Sequence, residues 1–220
     1  MKKTSNKYYL SVEGETEKWY FEHLQKLIND REEISHTVKF DIKINKSIAS
    51  RAKSVSAPYK VKAFHICDYE SNEKVHTKQF DKILQDLNSI RKINKNLDYR
   101  LGYSNFSFDL WMILHKNQQI GSVSHRKQYI KGINNAYGET FQFIDDYKEE
   151  KTFKRILSQI TLEDVIDAVN NGNEIRNINK QKSKDKYRKH GQFEFYTENP
   201  DMTINECVEQ ILNECGVIKR

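Results

Sequence analysis

Cysteine is scarce and follows no pairing pattern. Cys67, Cys207 and Cys215 form no C-x-x-C pair and have no histidine at zinc-finger spacing, in a chain of 220 residues. This argues against a disulfide framework or a structural zinc site and fits a reducing cytosol. Long apolar runs are missing too. None approaches the ~18 residues that a membrane helix needs, and Lys2 and Lys3 are followed by no signal-peptide h-region. The expectation is a soluble, cytoplasmic protein without a membrane partner. The phosphate-cradling pattern G-x-x-x-x-G-K-[ST] is absent, which argues against a P-loop phosphoryl-transfer enzyme. Internal repeats are lacking, as are low-complexity linkers apart from a basic stretch at 176–190.

What is present is apolar clustering and unevenly placed charge. Hydrophobic residues make up 37% and aromatics 11%, gathered into segments, so the chain can bury a core. The formal charge is +6. Residues 42–62 hold Lys43, Lys46, Arg51, Lys53, Lys60 and Lys62 with no acid. Residues 176–190 hold Arg176, Lys180, Lys182, Lys184, Lys186, Arg188 and Lys189 against Asp185 alone. Each segment carries +6 by itself, so the remainder is net negative. Such concentration suits a polyanion such as nucleic acid. For 176–190 the competing reading is a solvated, mobile loop.

Periodicity orders the first half. Lys7 to Val12 is apolar at nearly every position, as in a strand covered on both faces. Gly14 breaks it. Tyr20, Phe21, Leu24, Leu27 and Ile28 then recur at helical spacing. Strands are predicted at His36–Ile44, Val61–Cys67 and Tyr99–Tyr103, with helices around Phe80–Ile90 and Phe106–His115. Beyond residue 120 the strand signals fade, and helices are predicted around 126–136, 148–160, 162–169 and 203–215, the last capped by Thr203 and stopped by Gly216. The expected fold class is α/β, with a mainly parallel sheet flanked by helices in residues 1–120 and a mainly helical region in 121–220 that carries a basic loop at 176–190.

The acidic turns carry the chemistry. In open parallel sheets, ligands bind beyond the carboxyl ends of the strands. Glu13 ends the first strand, and Asp68-Tyr69-Glu70 ends the third. If those strands are neighbours, Glu13, Asp68 and Glu70 converge on one rim, with Glu17 nearby. Clustered carboxylates need neutralising, and Mg²⁺ does so while keeping waters for phosphate chemistry. Gly14 would permit unusual dihedrals or a close approach. Glu15 reads as a helix-dipole charge, and Glu17 is open between that and a ligand role. Asn105 is expected to cap the helix that follows it. Asp109 is expected near the acidic rim, Trp111 in the core, and His115 as a satisfied helix-end histidine rather than a metal ligand.

These residues carry a resemblance. VEGETE after a first strand and an acidic D-x-E after a later one resemble the two signature turns of Toprim domains. SNFSFDLWMILH, Ser104 to His115, is similar to the S-N-P-C-F-E-L-W-L-L-L-H block of the RloB family. Glu198 to Leu212 is similar to that family's C-terminal block, where an Asn-Pro pair precedes a helix. The resemblance implies a Toprim-like Rossmannoid core in a phage-defence protein of the AbiL abortive-infection type, working with an AAA-type ATPase. It implies Glu13 as general acid/base, Asp68 and Glu70 as holders of Mg²⁺ or Mn²⁺, and Glu17 as a further acidic ligand. The chain departs from the pattern in Asn105-Phe106-Ser107 for N-P-C, in Asp109 for Glu, and in D-Y-E for D-x-D. The longer Glu70 could shift the metal or reduce it to one ion.

Two functions follow as expectations. The first is a metal-dependent nuclease on DNA or RNA, with Lys180, Lys182, Lys184, Lys186, Arg188 and Lys189 holding the strand. The rival is a non-catalytic nucleic-acid-binding or docking subunit of an ATPase complex. Oligomerisation is left open.

Overall fold

Tyr8, Leu10 and Val12 point to one face of the first strand and Tyr9 and Ser11 to the other, so the strand must be covered twice. The computed structural model, which describes residues 4–44, 47–117 and 121–218, provides both covers. Its elements run β1 (Thr4–Val12), α1 (Glu15–Asn29), β2 (His36–Ile44), α2 (Ile48–Ser54), β3 (Val61–Tyr69), α3 (Lys74–Ile93) and β4 (Leu97–Asn105). Helices α4 (Asp109–Leu114), α5 (Tyr129–Tyr137), α6 (Ile144–Lys148), α7 (Glu150–Leu157) and α8 (Leu162–Lys182) follow. The chain closes with β5 (Tyr187–His190), β6 (Phe193–Tyr196), β7 (Asp201–Met202) and α9 (Ile204–Cys215).

The sheet order is β2-β1-β3-β4-β7, with β1 to β4 parallel and β7 antiparallel to β4. The fold is therefore mixed α/β with a mainly parallel five-stranded sheet and a helical C-terminal half. One core lies between Tyr8, Leu10, Val12, Phe64 and Ile66 and the helices α1, α4, α8 and α9. The other packs Tyr9, Ala63, Cys67, Leu101 and Tyr103 against α2, α3 and the β5–β6 hairpin. Each large apolar side chain fully buried in these layers is worth roughly 1.5–3 kcal/mol. Among the described residues, no helix is long and apolar enough to cross a membrane.

Several expectations change for physical reasons. Helix α2 hides inside the first basic run: Ile48 and Ala52 face the core, and Arg51, also buried, pairs with Asp41 at 2.7 Å. Lys62 pairs with Glu214. That run is thus partly neutralised within the fold; Lys46 lies outside the described residues. Residues 176–190 are not a loop. They form the end of α8, a 3₁₀ turn over Lys184–Lys186 and β5. The helical period fades there because the inner face of α8 becomes polar, with Asn171, Arg176 and Asn179 buried.

Strand β7 escaped detection because it is two residues long, and β5 because it is charged. Asp201 within β7 is fully buried and accepts from Arg176 Nη1 at 3.1 Å, Asn179 Nδ2 at 3.0 Å and the Tyr196 amide at 3.1 Å. Thr203 does precede α9, but its hydroxyl makes no cap bond; it donates to the Leu101 carbonyl at 2.8 Å and accepts from the Tyr103 amide. Gly216 ends α9 in the left-handed region, at φ 76°. The expected division after residue 120 falls at 118–120, outside the described residues, and β7 returns the C-terminal half to the sheet.

Removing one partner of a buried ion pair strands the other. Arg176→Ala should therefore cost roughly 3–5 kcal/mol in urea unfolding, whereas Lys182→Ala on the same helix, which is exposed, should stay within about 0.5 kcal/mol. Equal effects would contradict this division between structural and surface cations.

Candidate active site at the carboxyl ends of the strands

Strand β1 pairs with β3 in the register Ser11 to His65, and continuing it two residues sets Glu13 beside Cys67 and Asp68. The Asp68 amide donates to Glu13 Oε2 at 3.1 Å. The first turn of α1 returns Glu17, only 7% exposed, with the Thr16 hydroxyl 3.1 Å from its Oε2. Gly14 is extended, at φ −147° and ψ −178°, a conformation any residue adopts, so the unusual-dihedral role falls away. What glycine provides is room: a Cβ there would stand 3.1 Å from Glu17 Oε2. Glu15 pairs with Lys18 at 3.0 Å, as a surface charge at a helix start does.

From the other side, β4 sets Ser104 opposite Asp68 on the same face of the sheet. Asp109, in the first turn of α4, is 2% exposed; the Ser107 hydroxyl donates to its Oδ2 at 2.7 Å. The last residue of α6 then enters the cluster. Lys148 Nζ lies 3.1 Å from Asp109 Oδ2, and its charge is felt by Asp68 and Glu17. Sequence reasoning missed Lys148: one lysine in the acidic run Asp145–Glu150 carries no local signal.

The electrostatics are one-sided. Burial, and after it the Glu17 and Glu13 carboxylates, push Asp68 well above the ordinary carboxylate value; Lys148 opposes this and does not cancel it. Burial likewise raises Glu17, against its backbone hydrogen bond and Lys148. Burial alone would lower Lys148, but Asp109, Asp68 and Glu17 outweigh it and raise it. A contact near 3–4 Å is worth roughly 4–5 kcal/mol of attraction at a dielectric of about 20, against a desolvation cost of several kcal/mol per ion. The Ser104 and Tyr147 hydroxyls are buried without hydrogen-bond partners; Ser104 faces the Asp68 side, and Asp109 and Glu17 act on Tyr147.

The structure brings Glu13, Glu17, Asp68 and Asp109 together but places Glu70 apart. Its Oε2 lies 3.4 Å from His76 Nε2 and 3.5 Å from Arg126 Nη1. Asn105 is buried and caps no helix; its Nδ2 donates to the Tyr196 and Glu198 carbonyls, while its own carbonyl accepts from Tyr129 and Asn199. It braces the rim rather than lining it. His115 closes α4 with both nitrogens bonded, to the Trp111 carbonyl and the Tyr20 hydroxyl, and burial lowers its pKa to about 4. Lys180, Lys182, Lys184, Lys186, Arg188 and Lys189 are all exposed. Lys186 and Arg188 border a cavity of about 500 Å³ that also touches Tyr69 and Phe106, next in sequence to Asp68 and Asn105.

The family profile described as RloB-like protein matches residues 8–211, nearly the whole chain. The chain belongs to the RloB-like family. The match spans the acidic rim of this RloB-like chain and the Asn199–Asp201 brace beneath it. No curated protein and no solved structure matches it.

Whether this rim could hold a divalent cation turns on its donors. The carboxylates and orphaned hydroxyls are hard oxygen ligands of the type Mg²⁺ and Mn²⁺ take. Among the described residues, no three Asp, Glu, His or Cys side chains already form an ion cage. The donor chemistry fits, while the described side chains as they stand do not enclose an ion.

Because Asp68 holds its proton more tightly when folded, its contribution to stability is full below the unfolded value of 3.8 and is lost as pH rises through the higher folded value. Asp68→Asn should therefore raise the metal-free Tm at pH 7–8 by roughly 2–4 °C, equivalent to about 1 kcal/mol in a chain of this size. The gain should vanish near pH 4. A lowered Tm at pH 8 would contradict the assignment.

Proposed function

We propose that this protein hydrolyses phosphodiester bonds of DNA or RNA at the acidic rim, with Mg²⁺ or Mn²⁺ held by Glu13, Glu17 and Asp68. The observation that carries this reading is the convergence of buried carboxylates at the carboxyl ends of β1 and β3, where burial first pushes Asp68 and Glu17 above the ordinary carboxylate range against the opposing Lys148 ammonium. The bound cation would supply charge neutralisation at the phosphate and a more acidic water. Glu13, oriented by the Asp68 amide, takes the proton of the attacking water and returns it to the leaving oxygen as the phosphorus–oxygen bond breaks. Lys148 and the Ser107 hydroxyl fix Asp109 at the edge of the site. Lys186 and Arg188, with the cavity they border, guide the strand toward the rim, and the exposed lysines of α8 extend that path. The resemblance of the acidic turns adds a Toprim-like mechanism, and that of the longer blocks an AAA-type ATPase partner and a place in abortive phage defence.

A second reading is favoured by the absence of a ready-made ion cage among the described residues. In it the rim is a salt-bridged structural cluster, and the protein is a nucleic-acid-binding or docking subunit without catalysis.

Cleavage of a mixed panel of DNA and RNA in Mg²⁺ or Mn²⁺, with and without an ATPase partner, separates the two. The hydrolase reading expects metal-dependent cutting that Glu13→Gln or Asp68→Asn lowers by roughly 100-fold or more. Silence under every condition, with nucleic acid still bound, favours the docking subunit. Replacing Lys182, Lys184 and Lys186 together with glutamine should flatten the salt dependence of binding by roughly 2–3 in the log–log slope if each contacts a phosphate. An unchanged slope would remove them from the strand path.

A further inference from the structure

Resting on the reading that this protein engages nucleic acid, we propose that the cavity of about 500 Å³ bordered by Lys186 and Arg188 seats one unpaired nucleobase, so that the ligand selected is single-stranded nucleic acid rather than duplex. The hollow is built into the fold. Asn72, in the turn between β3 and α3, accepts from the Tyr69 hydroxyl at 2.7 Å and donates to the Thr197 carbonyl at 3.2 Å, which ties β3 to the turn after β6. The Thr197 amide donates to the Lys186 carbonyl at 3.1 Å, and the Glu198 carbonyl accepts from the Asn105 side chain at 3.1 Å. Hydrogen bonds between separate segments thus hold the walls in place, and Phe106 adds an apolar one. The volume falls in the range of roughly 300–1,000 Å³ that preformed small-molecule sites span, and is far more than a lone phosphate needs.

The groups around the hollow match a base flanked by phosphates. Lys186 and Arg188 are exposed; Lys186 pairs with its neighbour Asp185 at 3.2 Å, and Arg188 donates to the Asp185 and Tyr187 carbonyls and pairs with no carboxylate among the described residues. Both can hold the phosphates on either side of a seated base. Glu198, the carboxylate at this cavity, is exposed and pairs with no cation among the described residues. A carboxylate accepts hydrogen bonds and repels phosphate, so it suits the amino edge of a base and would be out of place in a site for phosphate alone. By strand alternation Asp68 falls on the face of Phe64 and Ile66, and Tyr69 on the opposite face with Cys67. A strand anchored by its base on the Tyr69 side therefore crosses the carboxyl edge of the sheet to reach the rim. Bases in a duplex are paired at their edges and stacked on their faces, whereas unpaired bases splay out and enter such pockets.

The test is equilibrium binding by fluorescence anisotropy, in EDTA, of short labelled single strands of DNA and of RNA and of the matching duplexes at equal salt. A single strand should bind roughly tenfold or more tightly than its duplex, the scale of one seated base; a preference among the single strands for DNA or for RNA supports the proposal equally and identifies the polymer. Thr77, in the first turn of α3, lines the cavity, so Thr77→Trp should fill it and bring single-strand affinity down to the duplex level while duplex affinity stays unchanged. Thr197→Phe serves if that variant fails to fold. In the wild-type chain, 2-aminopurine placed in turn along the single strand should show one position shielded from acrylamide. Duplex bound as tightly as single strand, a preference that survives both cavity-filling variants, or 2-aminopurine exposed at every position would each overturn the proposal. Failure to bind any oligonucleotide at low salt overturns it together with the nucleic-acid reading. Single-strand preference without cleavage in Mn²⁺ supports it and sinks only the hydrolase.

Discussion

Parallel pairing of β1 with β3 is the constraint from which the rim follows. It puts two strand ends side by side, so that Glu13 accepts from the backbone of Asp68 and both carboxylates stand at one level. The chain turns directly from β1 into α1 and from β4 into α4, which adds Glu17 and Asp109 from two helix starts. None of the four residues reaches far. They meet because a parallel sheet gathers its carboxyl ends on one edge, where helix N-termini also favour negative charge.

That gathering works against stability. Asp68 and Glu17 are buried among like charges, which the Lys148 ammonium opposes without cancelling. Natural cores rarely keep such an arrangement, because apolar replacements of buried ionic groups are often neutral or stabilising. Stability given up at one place is a usual mark of a functional site. Asp201, buried as deeply, has a guanidinium and two further donors, and Asn105 is bonded through its side-chain nitrogen and its backbone carbonyl.

Much of this was legible in the sequence. Strand β1 declared itself through a near-continuous apolar run, β2 through alternation, and helices α1 and α3 through a period near 3.6 residues, while the acidic turns fell at strand ends where a ligand site belongs. Asp109 reached the rim as its helix position implied. Glu70 did not, because β3 ends at Tyr69 and the side chain turns to His76 and Arg126, partners that sequence spacing does not announce. Lys148 was invisible for the same reason: its role depends on a tertiary contact 39 positions from Asp109. The polar inner face of α8 concealed a helix inside a charge run, since Arg176 and Asn179 point inward to Asp201 where a pattern reader expects leucines. Backbone geometry also reassigned Gly14, from a residue needed for its dihedrals to one needed for the space it leaves Glu17.

The account stands on the claim that the rim is built to receive a divalent cation. Anomalous diffraction from crystals grown with Mn²⁺ tests that claim most directly, because it locates the ion without depending on substrate or turnover. The account predicts an anomalous peak within coordination distance of Glu13 and Asp68, with the Lys148 ammonium still on Asp109. A rim without a peak at saturating Mn²⁺, or a peak held by Glu70 and His76 instead, would contradict it.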